Sequence, residues 1–312
     1  MSKNTYTIRN YQPSDFDNYV RFRMEAEKRE PSEKLLSPHH IAEELAVPKY
    51  FPERDLFVAE MTGSIIGYIS VFLELEIGRA LVEGLVHHQH RKKGVAIKLF
   101  RYAYQHAKNS GVKVAQINMP ETNTAAKSLM SDLDFRFIRH FLELKLDIYN
   151  THLPDGNPGE FNMRSLQRGE EDKLTGLQNR CFTGSWGFNP NTTEDIVYRL
   201  NLSGCSPEDV IMAYKRDRPV GYCWTRKILL AGTDPQENKG LIHMMGVDPE
   251  YRNKGIGKKV LLAGLKYLKC NHICRVELTV DKENSAARGL YQSVGFKESM
   301  ILEWYEKKLI SI

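Results

Sequence analysis

No stretch of this chain approaches the roughly 18 apolar residues of a membrane-spanning helix, so no membrane partner is expected. Cysteine is scarce. Five occur in 312 residues, namely Cys181, Cys205, Cys223, Cys270 and Cys274. An odd number, all in the second half and without a C-x-x-C pair, argues against a disulfide framework or a zinc knuckle. Cys270 and Cys274 stand four apart, but no histidine pair at ligand spacing completes a site, and no metal is expected. Charge of one sign is also in short supply: a net charge of +5 does not demand nucleic acid and suits a small polyanionic ligand. The opening residues, Met1 to Thr5, are polar and lack the apolar core of a signal peptide, which predicts a cytoplasmic protein. Nothing in the composition fixes an oligomeric state.

What the chain does contain, it contains twice. Arg91-Lys92-Lys93-Gly94-Val95-Ala96 recurs as Arg252-Asn253-Lys254-Gly255-Ile256-Gly257, 161 positions further on. Asn123-Thr124-Ala125-Ala126 and Phe135 recur at the same offset as Asn284-Ser285-Ala286-Ala287 and Phe296. The length fits two domains of roughly 150 residues, each able to bury its own core. The stretch 150–160, with Pro154, Gly156, Pro158 and Gly159, is rich in turn formers and reads as a linker between domains 1–149 and 161–312.

Both halves follow one plan of elements. A short strand at Tyr6–Ile8 precedes a helix carrying Phe16, Tyr19, Val20 and Phe22, with Ser14 placed to cap it. Apolar runs on either side of Thr62-Gly63 spell a β-hairpin. Leu81 to Val86 then enters the first basic loop, and Val95, Leu99, Phe100, Ala103 and Ala107 follow at helical spacing up to Gly111. The second half repeats this with Met163–Leu166, a helix from about Glu170, a hairpin around Arg216–Pro219, a strand at Leu241–Val247 and a long helix bearing Leu261, Leu265 and Leu268.

A strand that runs into a basic residue, then glycines, then a helix makes an anion site: unpaired N–H groups converge at the helix start, where the dipole favours negative charge. A single such string is weak; two in register, each with a matching block downstream, are not. The residues Gly246 through Gly257, together with Asn284 through Phe296, resemble the GCN5-related N-acetyltransferase (GNAT) superfamily, whose acyl-CoA loop reads Q/R-x-x-G-x-G/A. The resemblance is strong in the second half and looser in the first. It implies an α/β fold of two tandem GNAT-like domains, each a mixed, mostly antiparallel sheet with helices on both faces, and acetyl-CoA lodged between two parallel strands that splay apart.

Mapped onto this chain, the resemblance gives Arg252, Asn253, Lys254, Gly255, Ile256, Gly257 and Lys258 to the pyrophosphate, and the backbone of Met245 and Val247 to the pantetheine arm, with Asn284 on its other side. Arg91, Lys92, Lys93, Gly94, Val95 and Ala96 form the matching loop of the first copy. Tyr291 matches the usual acid of the family, which protonates the leaving thiolate. For the base, strand alternation places Leu241, His243 and Met245 on one face, and His243 is the titratable one; an imidazole accepts protons near neutral pH. A core aromatic and a strand histidine with a structural hydrogen bond are the alternatives.

At the same offset, Val82 stands opposite His243 and Met130 opposite Tyr291. The first copy therefore lacks both proton carriers and reads as catalytically degenerate. The cluster His87-His88-Gln89-His90 does not suit metal, since three histidines in a tight loop do not converge on one ion. For the acceptor, Phe182, Trp186 and Phe188 are candidates for an aromatic floor, with Glu194 or Asp195 at its rim to hold a cationic amine. The expected activity is transfer of an acetyl group from acetyl-CoA to a primary amine of a small molecule, releasing coenzyme A. The alternative is a non-catalytic acyl-CoA-binding or regulatory protein with two CoA loops.

Overall fold

The protein, in a computed structural model, is described over residues 6–30, 36–154, 160–228 and 238–309. The first copy opens with β1 (Thr7–Asn10), α1 (Phe16–Arg29), α2 (Pro38–Leu45) and the short α3 (Pro52–Asp55). There follow β2 (Leu56–Met61), β3 (Ser64–Glu74), β4 (Arg79–Val86), α4 (Val95–Asn109), β5 (Val114–Pro120), α5 (Thr124–Asp132) and β6 (Arg136–Asp147). The second copy comprises β7 (Asn162–Ser165), α6 (Glu171–Phe182), α7 (Thr193–Leu200), β8 (Val210–Lys215), β9 (Arg218–Ile228) and β10 (Lys239–Val247). It closes with α8 (Ile256–Cys270), β11 (Arg275–Asp281), α9 (Ser285–Val294) and β12 (Lys297–Lys308).

Local chemistry explains most of the boundaries. Thr62 and Gly63 take φ of 49° and 78°, the left-handed pair that matches the twist of a two-residue hairpin. The first helix is capped differently from expectation. Ser14 lies inside a 3-10 turn, and it is Asp15 that accepts the Gln12 N–H at 2.8 Å and the Arg9 guanidinium at 2.6 Å. A carboxylate that serves a cap and an ion pair together outcompetes a hydroxyl.

Two compact units result, and they do not divide at 150–160. One contains residues 1–139 with 303–312, the other residues 140–302. The division by packing falls at 139/140 and 302/303, and the reason is apolar patterning. Leu142, Leu144, Leu146 and Ile148 belong to the core of the C-terminal unit, whereas Tyr305 and Leu309 belong to that of the N-terminal unit. Residues 155–159 of the linker, like the polar start Met1–Thr5, lie outside the described residues.

In the N-terminal unit the strands run in the order β1-β2-β3-β4-β5, antiparallel except for the parallel pair β4–β5. The C-terminal unit has β7-β8-β9-β10-β11-β6, with β10–β11 parallel. Each sheet is covered on both faces. Leu99, Phe100, Ala103 and Ala107 of α4 pack into one N-terminal core, and Tyr19, Phe22 and Ile41 of α1 and α2 into another. Val260, Leu261, Leu265 and Leu268 of α8 do the first job in the C-terminal unit, and Leu174, Leu177 and Ile196 of α6 and α7 the second. Full burial of each such side chain contributes roughly 1.5–3 kcal/mol. Among the described residues, no helix is long and apolar enough to cross a membrane.

One buried carboxylate holds the N-terminal unit together. Asp55 is 1% exposed and accepts from the Phe51 N–H at 2.9 Å, Arg54 Nε at 3.0 Å and His106 Nε2 at 2.7 Å. Burial pushes its pKa up, but the His106, Arg54 and backbone hydrogen bonds outweigh it, and the net shift is downward. A depressed carboxylate stabilises the fold above its unfolded pKa near 3.9, and the contribution disappears as pH falls through the lower folded value. Asp55→Asn is expected to cost about 1–3 kcal/mol at pH 7 and to flatten the acid limb of stability, checked by denaturant titration between pH 3 and 7.

Candidate active site

The parallel strands β10 and β11 pair only at Lys239↔Arg275, Gly240↔Val276 and Leu241↔Glu277. Beyond that point β10 continues along β9 as far as Val247, and β11 along β6 as far as Asp281. The β11-facing edge of β10 from Ile242 to Val247 therefore has no strand partner among the described residues, and it includes the backbone of Met245 and Val247. The β4–β5 pair stops the same way after Leu81↔Gln116.

At the mouth of this splay the register of β10 slips against β9 between Ile242 and Met244, making His243 the extra residue of a β-bulge. The bulge corrects the alternation read from the sequence. His243 packs edge-on against Trp224 at 5.0 Å, and Met244 contacts Gln178, both on the side of α6 and α7. Met245 and Val247 pack instead against the α8 core. His243 and Met245 thus lie on opposite faces, because a bulge puts two successive side chains on one side.

His243 is exposed at its edge yet ringed by protein. That desolvation, together with the charges of Arg199 and Arg226, lowers its pKa to about 4. Solvent at the ring edge softens the desolvation, but both arginines act in the same direction. The imidazole is neutral at pH 7. Trp224, Arg199 and Arg226 were missed by sequence reasoning, since nothing in their spacing announces the bulge that brings His243 to them.

The glycine loop is built as expected, with one amendment. Asn253 and Gly255 take φ of 61° and 75°, which turns the chain so that α8 begins at Ile256. From Asn253 to Lys258 the N–H groups donate to no described residue, and the first bond into the helix is Lys259 N–H to Gly255 O at 3.3 Å. A row of free donors at a helix start is an arrangement that favours an anion. The Arg252 N–H is already bonded to Pro249 O, and its side chain donates to Cys181 O at 2.7 Å, tying the loop to the end of α6. The side chain of Arg252 thus braces the loop, and the row of free N–H groups begins one residue later.

The N-terminal loop has the same backbone. Lys92 and Gly94 sit at φ of 58° and 78°, and the N–H groups from Lys92 to Ile97 donate to no described residue. Arg91, however, pairs with both carboxylate oxygens of Glu30 at 2.7 Å. Ala96 in place of Gly257 is sterically mild: a Cβ at Gly257 meets nothing closer than Leu290 at 3.3 Å.

Tyr291 lies on α9, 7% exposed, with its ring 5.8 Å from Phe296. Its hydroxyl bonds to no described residue. Burial, and secondarily Cys223, raises its pKa, so the proton is retained. Asn284 caps α9 by accepting the Ala287 N–H at 3.1 Å, and Asn123 does the same for Ala126. The downstream half of the repeat is thus a helix cap in both copies.

The aromatic candidates for the acceptor make two described ring contacts. Phe182 and Phe188 stack at 5.4 Å, while Trp186 packs against Phe141 at 5.7 Å. Asp195 closes a capping box with Thr192, and Glu194 stands exposed in the first turn of α7. Among the described residues, the charges acting on His243 are those of Arg199 and Arg226.

A mixed sheet whose parallel strands part beside a helix that begins with free N–H groups, present twice over, is the architecture of a tandem N-acetyltransferase. The model of the Acetyltransferase (GNAT) family matches residues 21–135 and 172–296, and the chain belongs to that family. A mycothiol acetyltransferase of Acidothermus cellulolyticus is 28% identical over 190 residues, a match covering 55% of this chain and 56% of that protein. Another, of Stackebrandtia nassauensis, is 28% identical over 268 residues, covering 83% of this chain and 84% of its own. A tandem GNAT protein from the clavulanic acid biosynthesis pathway superposes with a TM-score of 0.76 at 14% identity, covering 99% of this chain and 100% of that one, and shows the shared fold. The protein is an acetyltransferase of the GNAT type.

Proposed function

We propose that the C-terminal unit transfers an acetyl group directly from acetyl-CoA to a primary amine of a small molecule, in the cytoplasm, and that the N-terminal unit does not catalyse this reaction. The observation that carries the reading is the coincidence, in the C-terminal unit alone, of the splay, the N–H row, the bulged His243 and the buried Tyr291. The amine nitrogen attacks the thioester carbonyl, a tetrahedral intermediate forms, and the C–S bond breaks. One N–H proton leaves toward His243, directly or through water, and the Tyr291 hydroxyl donates a hydrogen bond to the departing sulfur. An imidazole whose conjugate acid has a pKa near 4 does not deprotonate a free alkylammonium, whose pKa lies near 10. It accepts instead from the far more acidic nitrogen of the intermediate. The relatives bear mycothiol in their names, so the unacetylated amine form of mycothiol belongs in the acceptor panel.

The reading is tested by thiol release from acetyl-CoA in the presence of a panel of primary amines. Release stimulated by no amine favours the non-catalytic acyl-CoA-binding alternative. The lowered His243 pKa also sets the pH dependence: kcat/KM rises with pH along the ionisation of the acceptor amine, with no limb near 6.5. A limb at 6.5 that vanishes in His243→Ala counts against a neutral, desolvated His243.

A further inference from the structure

The bulge changes which residue of the N-terminal unit corresponds to His243. Counted back from the loop arginines, the counterpart is Val82, a core residue 7% exposed. Counted forward from the last parallel pairs, Leu81↔Gln116 and Leu241↔Glu277, it is Glu83. The counts differ by one because β10 holds an extra residue, whereas the β3–β4 register runs unbroken from Gly67↔Val86 to Glu74↔Arg79. The splay point fixes position along the sheet, so Glu83 is the structural match.

Glu83 faces a cleft of about 190 Å3, lined also by Arg23, Glu30, Tyr68, His87 and Arg91. Most of the charges there are already answered. Arg91 holds Glu30 at 2.7 Å, His87 lies 3.3 Å from Glu25, and Arg23 donates to Glu44 at 3.1 Å while covering the Tyr68 ring at 5.2 Å. Arg29, also on the lining, acts on His88. Glu83 is exposed, its one polar contact is the Tyr68 hydroxyl at 3.4 Å, and it makes no ion pair among the described residues. Among the described residues the cleft therefore offers a carboxylate that makes no ion pair, above a tyrosine hydroxyl that is itself buried.

We propose that this cleft is a second small-molecule site, in which Glu83 and the Tyr68 oxygen receive the ammonium group of an amine. The site binds and does not transfer: Met130, buried at the position matching Tyr291, has no proton for a leaving thiolate. The assignment stands on the strand register and the cleft alone, so its test reads binding and needs no turnover.

The intact chain is titrated with butylamine, 1,4-diaminobutane and tyramine, with butyrate as the anionic control, by ligand-observed NMR. At least one amine binds saturably, butyrate does not, and Glu83→Gln weakens the amine roughly tenfold or more, as expected for loss of a charge-assisted bond. Glu83→Asp, which keeps the charge, retains binding within a few-fold. Circular dichroism confirms that both variants fold. Binding of none of the amines, or amine binding unchanged in Glu83→Gln, overturns the site; in the second case the amine sits in the C-terminal unit.

Discussion

Phenylalanine in place of Tyr291 is expected to lower kcat by roughly 10²–10⁴-fold, the range for loss of a positioned general acid, while KM for acetyl-CoA changes by no more than about twofold. The substitution removes one oxygen and leaves the ring against Phe296. Because the hydroxyl bonds to no described residue, little stability is lost with it, and a fall in rate reports on chemistry. Burial keeps the phenol protonated well above neutrality, whereas the thiol it serves ionises near 8.5. Full transfer of the phenol proton to the thiolate is therefore uphill, and the hydroxyl serves by donating a hydrogen bond to the sulfur as the C–S bond breaks. Thiol release under saturating acceptor measures kcat; an undiminished value removes Tyr291 from the mechanism.

The second large effect belongs to the loop. Gly255 lies at φ +75°, with nothing near its missing Cβ, so the obstacle to a side chain there is conformational. A β-branched residue in that region costs about 1–3 kcal/mol in strain and is relieved by turning the N–H row away from its target. Losing two charge-assisted hydrogen bonds at about 1.5–3 kcal/mol each weakens acetyl-CoA on the order of 100-fold or more. Gly255→Val and its twin Gly94→Val, titrated calorimetrically with acetyl-CoA, separate the loops. One site lost only with Gly255 leaves a single catalytic centre. Two sites, one lost with each glycine, make the N-terminal unit a second acyl-CoA holder, and no binding in the unaltered chain overturns the acyl-CoA reading.

Much of this was legible in the sequence, for physical reasons. Hairpin chemistry at Thr62-Gly63, helical spacing in α4 and α8, and the glycines at 94 and 255 are local, and local patterns survive into the fold. The face of His243 was not legible, since a bulge is a disagreement between two strands and neither strand shows it alone. The same one-residue slip hid Glu83 behind Val82. The side-chain hydrogen bond of Arg252 to Cys181 was not legible either, since its partner lies 71 positions away in the chain. The contact of Trp186 with Phe141 was hidden for a related reason, since Phe141 lies more than forty positions earlier.

The placement of residues 303–309 in the N-terminal core has a consequence for synthesis. Tyr305 and Leu309 complete that core, and the Leu309 N–H bonds to Lys113 O at 2.9 Å. A ribosome adding about 5–20 residues per second takes on the order of ten to thirty seconds to travel from the end of the first copy to the last strand. Throughout that interval the earlier-made half lacks its closing segment. The usual order, in which the first domain is finished while the second is still being made, does not hold for this chain.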